Sequence, residues 1–361
     1  MKVLFAFNSY GLGHATRTLP IVKEVLRRKH KVFITTSGRS LDFLKKELGK
    51  KAMYFELRDY SFSKVFSEKK FSAKKFFLLS RLFIKEIKIE HQELLKLHAQ
   101  HKFDVVFADA RMGMWIPGIP CYLMTNQIKV GDGGLLNNFA QWYSEKFNRN
   151  VRKNFTKVVV PDTKAKSISG ELTHNLKKFK PQDIEYIGIL SMLEKKKVNQ
   201  DIDIFISISG PEPQRTVFEN KVMEQLDTLQ GKNVVITLGV PEKINYHKKI
   251  GTITIYGMLN RQKQAQTMNR AKLVVTRSGY STVMDLAELG KKALYIPTSG
   301  QPEQEYLAKY HMEQKNNLMV RIENLNLAAD CKKALTYKGY KPLHRTNESV
   351  RRCLKLILSD K

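Results

Sequence analysis

Thr276-Arg277-Ser278-Gly279 closes a short apolar run, Leu273 to Val275, and opens a helical pattern with Val283, Leu286, Ala287 and Leu289 on one face. Gly290 is placed to stop that helix. A second apolar run, Ala293 to Ile296, leads through Pro297 into a polar loop that carries Gln304 and Glu305. A glycine turn at a helix start offers unbonded backbone N–H groups and the positive end of the helix dipole, which suits a phosphate. Ser278, Gly279, Tyr280 and Ser281 make up that turn, and Arg277 precedes it. Asp285 lies one turn further on, where a carboxylate could take a ribose diol. Gln304 and Glu305 follow the next strand and could reach the same ligand, because open α/β sheets bind ligands beyond the carboxyl ends of their strands.

A second chemical stretch lies at the other end of the chain. Lys2 to Phe7 reads as a buried strand, followed by Gly11-Leu12-Gly13-His14 and a helix that carries Arg17. Two glycines let the backbone turn tightly beside a ligand. The stretch is not a dinucleotide fingerprint, since Thr16 stands where the third glycine belongs and the second strand ends in Thr35-Thr36-Ser37 with no acid for a ribose. Nor does a Gly-Lys-Ser/Thr follow to make a P-loop. An imidazole titrates near neutrality, so His14 could accept the proton of a hydroxyl; the plainer alternative is a helix-capping histidine. Arg17, one turn on, could meet donor phosphates or an anionic acceptor. Asp109 ends the apolar run Phe103 to Ala108, and a carboxylate there faces the crevice of a parallel sheet.

Both stretches resemble the GT-B glycosyltransferases. They are most similar to the family 28 group that contains the lipid-intermediate GlcNAc transferase of peptidoglycan synthesis. That pattern is Arg-Ser-Gly, an acid on the helix, then Pro and a loop with paired Gln; Arg277, Ser278, Gly279, Asp285, Pro297 and Gln304 match it in order and spacing. Two positions depart from it: the acid is Asp285 where the family has Glu, and Glu305 replaces the second Gln. Gly-x-Gly-His-x-x-Arg resembles the first loop of the same family. The resemblance implies two Rossmann-like domains facing across a cleft, and inverting transfer of a sugar from a nucleotide-sugar, read as a UDP-sugar, to a hydroxyl. His14 would be the base, and Asp109 its orienter by analogy with plant-type members. Gly11, Gly13, Arg17, Gly210, Met258, Arg277, Ser278, Gly279, Tyr280, Ser281, Asp285, Gln304 and Glu305 would face the donor. Met258 would meet the nucleotide base, and domain closure would exclude water. No cofactor is implied; the nucleotide-sugar is a substrate.

These residues need two α/β domains to hold them, and 361 residues with 42% apolar content suffice. The order of elements divides the chain into an acceptor domain at 1–162, a linker and crossing segment at 163–190, a donor domain at 191–340 and a final helix at 341–361. Lys157 to Val160 closes the first sheet, and residues 162–184 read as polar surface. Asp201-Ile202-Asp203 precedes its strand instead of ending it, so a metal there would sit at the wrong end of the sheet; no metal is expected. Three scattered cysteines suit a reducing compartment. The first apolar run is too short for a signal peptide and no run is long enough to span a bilayer. The expectation is a cytoplasmic protein, at most peripheral at the inner face of the membrane.

A net charge of +29 asks for an anionic partner. Residues 62–83, with Phe62, Phe66, Phe71, Phe76, Phe77 and Phe83 among lysines, have the composition of a segment lying on anionic lipid; the competing reading packs these rings on the sheet. Gly131-Asp132-Gly133-Gly134 is a flexible loop that could contact an acceptor. Two rivals stay open. A nucleotide-sugar hydrolase or epimerase could use the same fold. A nucleic-acid-binding protein would explain the charge but not the two glycine motifs, and no nucleic acid is expected. The oligomeric state is not legible.

Overall fold

The structure, a computed structural model, describes residues 1–60, 73–130, 135–341 and 345–358, without the side chains of 73–80 and 135–140. Residues 131–134, Phe62, Phe66 and Phe71, and the side chains of Phe76 and Phe77, therefore lie outside the described residues. The chain forms two compact units, Met1–Met192 with Leu343–Lys361, and Leu193–Pro342.

The first unit runs β1 (Lys2–Phe7), α1 (Gly13–Arg27), β2 (Lys31–Thr36), α2 (Gly38–Leu48), β3 (Ala52–Glu56), α3 (Ala73–His101), β4 (Val105–Asp109), β5 (Cys121–Met124), α4 (Leu135–Arg152), β6 (Lys157–Val160) and β7 (Ile184–Tyr186). Its strands are all parallel, in the order β3-β2-β1-β4-β5-β6-β7. Helices cover both faces of such a sheet, which is why β1 and β4 are near-continuous apolar runs, not alternating ones. The order reverses between β1 and β4. Their carboxyl ends therefore leave a crevice, and the Gly11–His14 loop and Asp109 stand at it.

The second unit runs β8 (Ile202–Ser207), α5 (Gln214–Met223), β9 (Val234–Thr237), β10 (His247–Ile250), β11 (Ile253–Tyr256), α6 (Arg261–Arg270), β12 (Ala271–Thr276), α7 (Tyr280–Leu289), β13 (Lys292–Tyr295), α8 (Pro302–Glu313), β14 (Leu318–Met319) and α9 (Leu327–Ala334). The sheet order is β10-β11-β9-β8-β12-β13-β14, parallel except for β10. Here the order reverses between β8 and β12, so Gly210 and the Arg277–Gly279 turn flank a crevice equivalent to that of the first unit. Asn260 and Asn326 cap α6 and α9 by accepting from Lys263 N and Ala329 N. Gly290, left-handed at φ 66°, ends α7 as its sequence requires.

α10 (Thr346–Ile357) belongs to the first unit. It packs on α1, Tyr122 Oη donates to Leu356 O at 2.6 Å, and Ser191 N donates to Thr346 Oγ1 at 2.8 Å. No described helix is long and apolar enough to cross a membrane.

Three regions differ from the sequence reading. Residues 162–184 are not loose surface: the buried Asp162 carboxylate accepts from Thr163 N, Ile168 N, Ser169 N and Ser167 Oγ, and folds the segment back onto the first unit. β7, and not β6, then closes the sheet. β10 went unread because all four of its residues are exposed, so it carries no apolar signal. Phe83 turns inward, its ring 5.0 Å from that of Tyr60 and 5.9 Å from that of Phe147, so it follows the packing alternative.

Gly239 shows how tightly the second crevice is built. Its φ is +68°, and a Cβ there would fall 2.4 Å from Ile208 O. Gly239→Ala is expected to cost about 2 kcal/mol or more. Gly251→Ala, at φ +57° but with open space around it, should cost only about 1 kcal/mol. Urea unfolding midpoints of the two variants test the difference.

Candidate active site

In the first unit the helix that begins just after the glycine loop places His14 on the first turn of α1, facing the end of β4. His14 Nδ1 lies 2.8 Å from Asp109 Oδ1. Asp109 is fully buried and also accepts from Arg17 Nε at 2.8 Å, Thr18 Oγ1 at 2.8 Å and Arg17 Nη2. Burial alone would raise its pKa, but the Arg17 guanidinium, the His14 imidazole and their hydrogen bonds outweigh that and hold it down to about 2. An ionised carboxylate only accepts, so His14 Nδ1 carries a proton, and in the neutral ring Nε2 then holds the lone pair. That is the tautomer a general base needs. His14 keeps 21% of its side-chain exposure, enough to meet a substrate.

Arg17 does not stand where the sequence reading put it. It is 4% exposed, donates to Asn126 Oδ1 at 2.7 Å as well as to Asp109, and its Nη2 lies 3.0 Å from His14 Nδ1. Its guanidinium is committed to holding the pair and is not presented to a phosphate. Thr18 and Asn126 escaped the sequence reading, because nothing in a threonine on α1 or an asparagine after β5 marks it before the fold brings it to Asp109. A second buried cluster escaped it too. Arg111 binds Glu90 and, at 3.1 Å, Asp59; Asp59 in turn accepts from Ser9 N at 3.0 Å. This fixes the start of the loop that carries Gly11 and Gly13. Between Asp109 and Arg111, Ala110 sits at φ 56°, a conformation an alanine holds only when its surroundings impose it.

In the second unit, Gly279 caps α7 without any side-chain cap, and a Cβ on it would meet nothing within 4 Å. The helix N-terminus is thus open. Along α7, Ser281 and Asp285 lie on the partly exposed face, while Tyr280, Val283, Met284 and Leu286 are buried. Arg277 is buried and acts as a clasp: it donates to Ile296 O at 2.9 Å, Pro297 O at 3.0 Å and Gln214 O at 2.8 Å, tying the loops after β13 and β8 to the end of β12. Burial lowers its pKa to about 10, so it stays protonated at neutral pH. Ser278 is buried with its hydroxyl donating to Gln304 O at 2.7 Å. Gln304 lies on the first turn of α8, and its amide is tied to the preceding loop, accepting from Thr298 N at 3.0 Å and donating to Gln301 Oε1.

Arg277, Tyr280 and the side chains of Ser278 and Gln304 therefore build the site's walls and do not line its surface. Glu305 accepts from Gly300 N at 3.0 Å and borders a shallow cavity with Ser299, Arg321 and Glu323. Gly210 is exposed at φ +121°, and its Cβ position would lie 4.0 Å from Thr298 Oγ1. That hydroxyl is buried without a hydrogen-bond partner, as is Arg277 Nε, so the loops meet with unfilled bonding capacity. Met258 is half-buried after β11. Asp201 and Asp203 sit at the amino end of β8 and pair with Arg270 and Lys272.

Residues 215–350 match the glycosyltransferase family 28 C-terminal domain, and residues 1–178 match glycosyl transferase family 1. An uncharacterized glycosyltransferase of Methanosarcina mazei is 24% identical over 332 residues, covering 84% of this chain and 82% of that protein. Its counterpart in Methanosarcina acetivorans is 25% identical over 333 residues, with the same coverage. Among solved structures, MurG of Acinetobacter baumannii superposes with a TM-score of 0.62 at 12% identity, covering 99% of each chain. The calicheamicin glycosyltransferase CalG4 gives 0.63 at 13% identity, covering 99% of this chain and 94% of that one. The spinosyn rhamnosyltransferase SpnG complexed with thymidine diphosphate gives 0.58 at 13%, covering 99% and 96%. Likeness at such identities concerns the fold, and it agrees with the two doubly wound sheets. The chain is a glycosyltransferase with the GT-B fold, and its residues 215–350 match the family 28 C-terminal domain.

Proposed function

We propose that this enzyme transfers a sugar from a nucleoside diphosphate-sugar, a UDP-sugar, to a hydroxyl with inversion. The observation that carries the reading is the open N-terminus of α7 at Gly279, with the buried Arg277 cation directly before it. Among the described residues, the hydrogen bonds of Arg277 go to carbonyl oxygens and no carboxylate pairs with it, so its positive charge adds to the helix dipole. A diphosphate would find both, and charge growing on the leaving group would be stabilised there. Ser281 and Asp285 follow on the accessible face, with Asp285 one turn on for the ribose. Glu305 borders the neighbouring cavity and would meet sugar hydroxyls. In the first unit His14 Nε2 would take the acceptor proton, while Asp109 stabilises the imidazolium. The thymidine diphosphate complex of SpnG supports a nucleoside diphosphate in this fold.

The acceptor in this reading is membrane-borne. Among the described residues, α3 exposes Leu82, Ile84, Ile89 and Leu95 as well as Lys85 and Lys88, a mixed apolar and basic surface that suits contact with a bilayer interface.

Calorimetry with UDP, and with ADP, GDP and dTDP as controls, tests the donor site. UDP should bind to the wild type and weaken at least tenfold, about 1.4 kcal/mol, in Asp285→Ala. Absence of binding by any nucleotide would sink the proposal.

A further inference from the structure

The segment from Pro241 to Thr252 is exposed at every residue. It leaves the carboxyl end of β9, turns through Tyr246, and returns as the edge strand β10, antiparallel to β11. Three large apolar side chains stand out of it: Ile244 is 53% exposed, Tyr246 44% and Ile250 42%. Lys243, His247, Lys248 and Lys249 surround them, with Glu242 as the single acid of the stretch. Local geometry holds the projection firmly. Gly257 N donates to Tyr246 O at 2.9 Å, Val240 N donates to Gly257 O at 3.0 Å, and a Cβ on Gly257 would fall 2.1 Å from Lys243 O. Exposed apolar side chains interspersed with cations on a projection tied down by backbone hydrogen bonds mark a surface meant to be covered.

We infer that the 241–250 hairpin is a lipid-contact element that lays Ile244, Tyr246 and Ile250 into the headgroup boundary of an anionic bilayer. Tyrosine favours that boundary, and lysines beside it are drawn to acidic headgroups. The chemistry disfavours the other occupants. A second copy pairing along β10 would set Lys248 and Lys249 against their own counterparts, and edge lysines of this kind discourage such pairing. A nucleic acid would use the cations and leave Ile244 and Ile250 without purpose. The hairpin begins at the carboxyl end of the sheet, the same end as Gly279. The inference extends the membrane-borne acceptor reading to a second surface, on the second unit, and its test needs no catalysis.

The three cysteines of the chain, Cys121, Cys331 and Cys353, are buried, so Tyr246→Cys gives one accessible thiol for an environment-sensitive fluorophore on the full-length protein. With phosphatidylglycerol-containing vesicles at physiological salt, its emission should shift to the blue and become shielded from iodide; pure phosphatidylcholine vesicles should leave it unchanged. Lys248→Glu with Lys249→Glu should weaken vesicle binding at least 20-fold, given about fivefold for each lysine lost. Because the probe reports from the hairpin, vesicle binding through α3 alone would leave it in water, and that result overturns the inference. So does a response to duplex RNA with none to vesicles. Absence of UDP binding would remove the donor-site reading without touching this one.

Discussion

Asp109→Asn is expected to abolish transfer, lowering kcat by about 10³–10⁴-fold, and to destabilise the first unit at the same time. The carboxylate does two jobs that an amide cannot do together. It fixes the His14 proton on Nδ1, 2.8 Å away, and it neutralises Arg17, which is itself buried. An Asn side chain can present its NH₂ to the ring, which moves the imidazole proton to Nε2 and ends its use as a base. It also removes the carboxylate that neutralises Arg17 inside the unit, a loss of about 3–5 kcal/mol. The acid limb of stability follows from the same residue. Its folded pKa is depressed from 3.8 to about 2. The carboxylate therefore stabilises the fold above its unfolded pKa near 4, and that contribution is lost as pH falls from about 4 toward 2, where both states bind the proton. The shift corresponds to about 2 kcal/mol. Urea titrations of wild type and Asp109→Asn across that window should show the dependence in the wild type and its loss in the variant. Equal slopes would mean that Asp109 is not held ionised by its neighbours.

His14→Gln separates catalysis from folding. His14 is partly exposed, and its neighbours Asp109 and Arg17 still satisfy each other when the imidazole is gone. Stability should change by less than about 1 kcal/mol, and UDP should bind unchanged, since the proposed donor contacts belong to the second unit. Turnover should fall by about 10²–10⁴-fold, the usual contribution of a positioned base. Donor turnover with acceptor present, set beside calorimetry on the same preparation, checks both halves. A variant that binds UDP and still transfers at the wild-type rate would remove His14 from the mechanism and leave Asp109 and Arg17 as a buried structural pair.

The second unit's motif was legible because its signals are local. A glycine turn between an apolar strand and an amphipathic helix needs only thirty or so consecutive residues to declare itself, and α7 begins and ends where Gly279 and Gly290 put it. The His14–Asp109 pair was half legible. His14 opens the helix after β1 and Asp109 ends β4, but their meeting depends on β1 and β4 being neighbours, a property of sheet order. Arg17 and Arg277 show what local sequence leaves out. An arginine beside a glycine turn reads as a phosphate ligand, and only the packed structure shows its terminal nitrogens turned inward to a carboxylate or to carbonyl oxygens. Buried polar residues such as Asp162 and Glu90 escape for the converse reason: in sequence they look like surface, and their partners come from segments whose path the sequence does not give. β10 escaped because an exposed edge strand has no apolar face to announce it.

The return of the chain to the first unit for α10 has a consequence for how the protein is made. Residues 1–192 are translated before α10, yet the face of α1 on which that helix packs stays uncovered until residues 346–357 have been translated. The second unit is contiguous, so it can close while the first still waits for its final helix. Of the two units, the one whose synthesis begins first is thus completed last, and a chain cut just beyond Pro342 has every residue of the second unit but lacks the helix that completes the first.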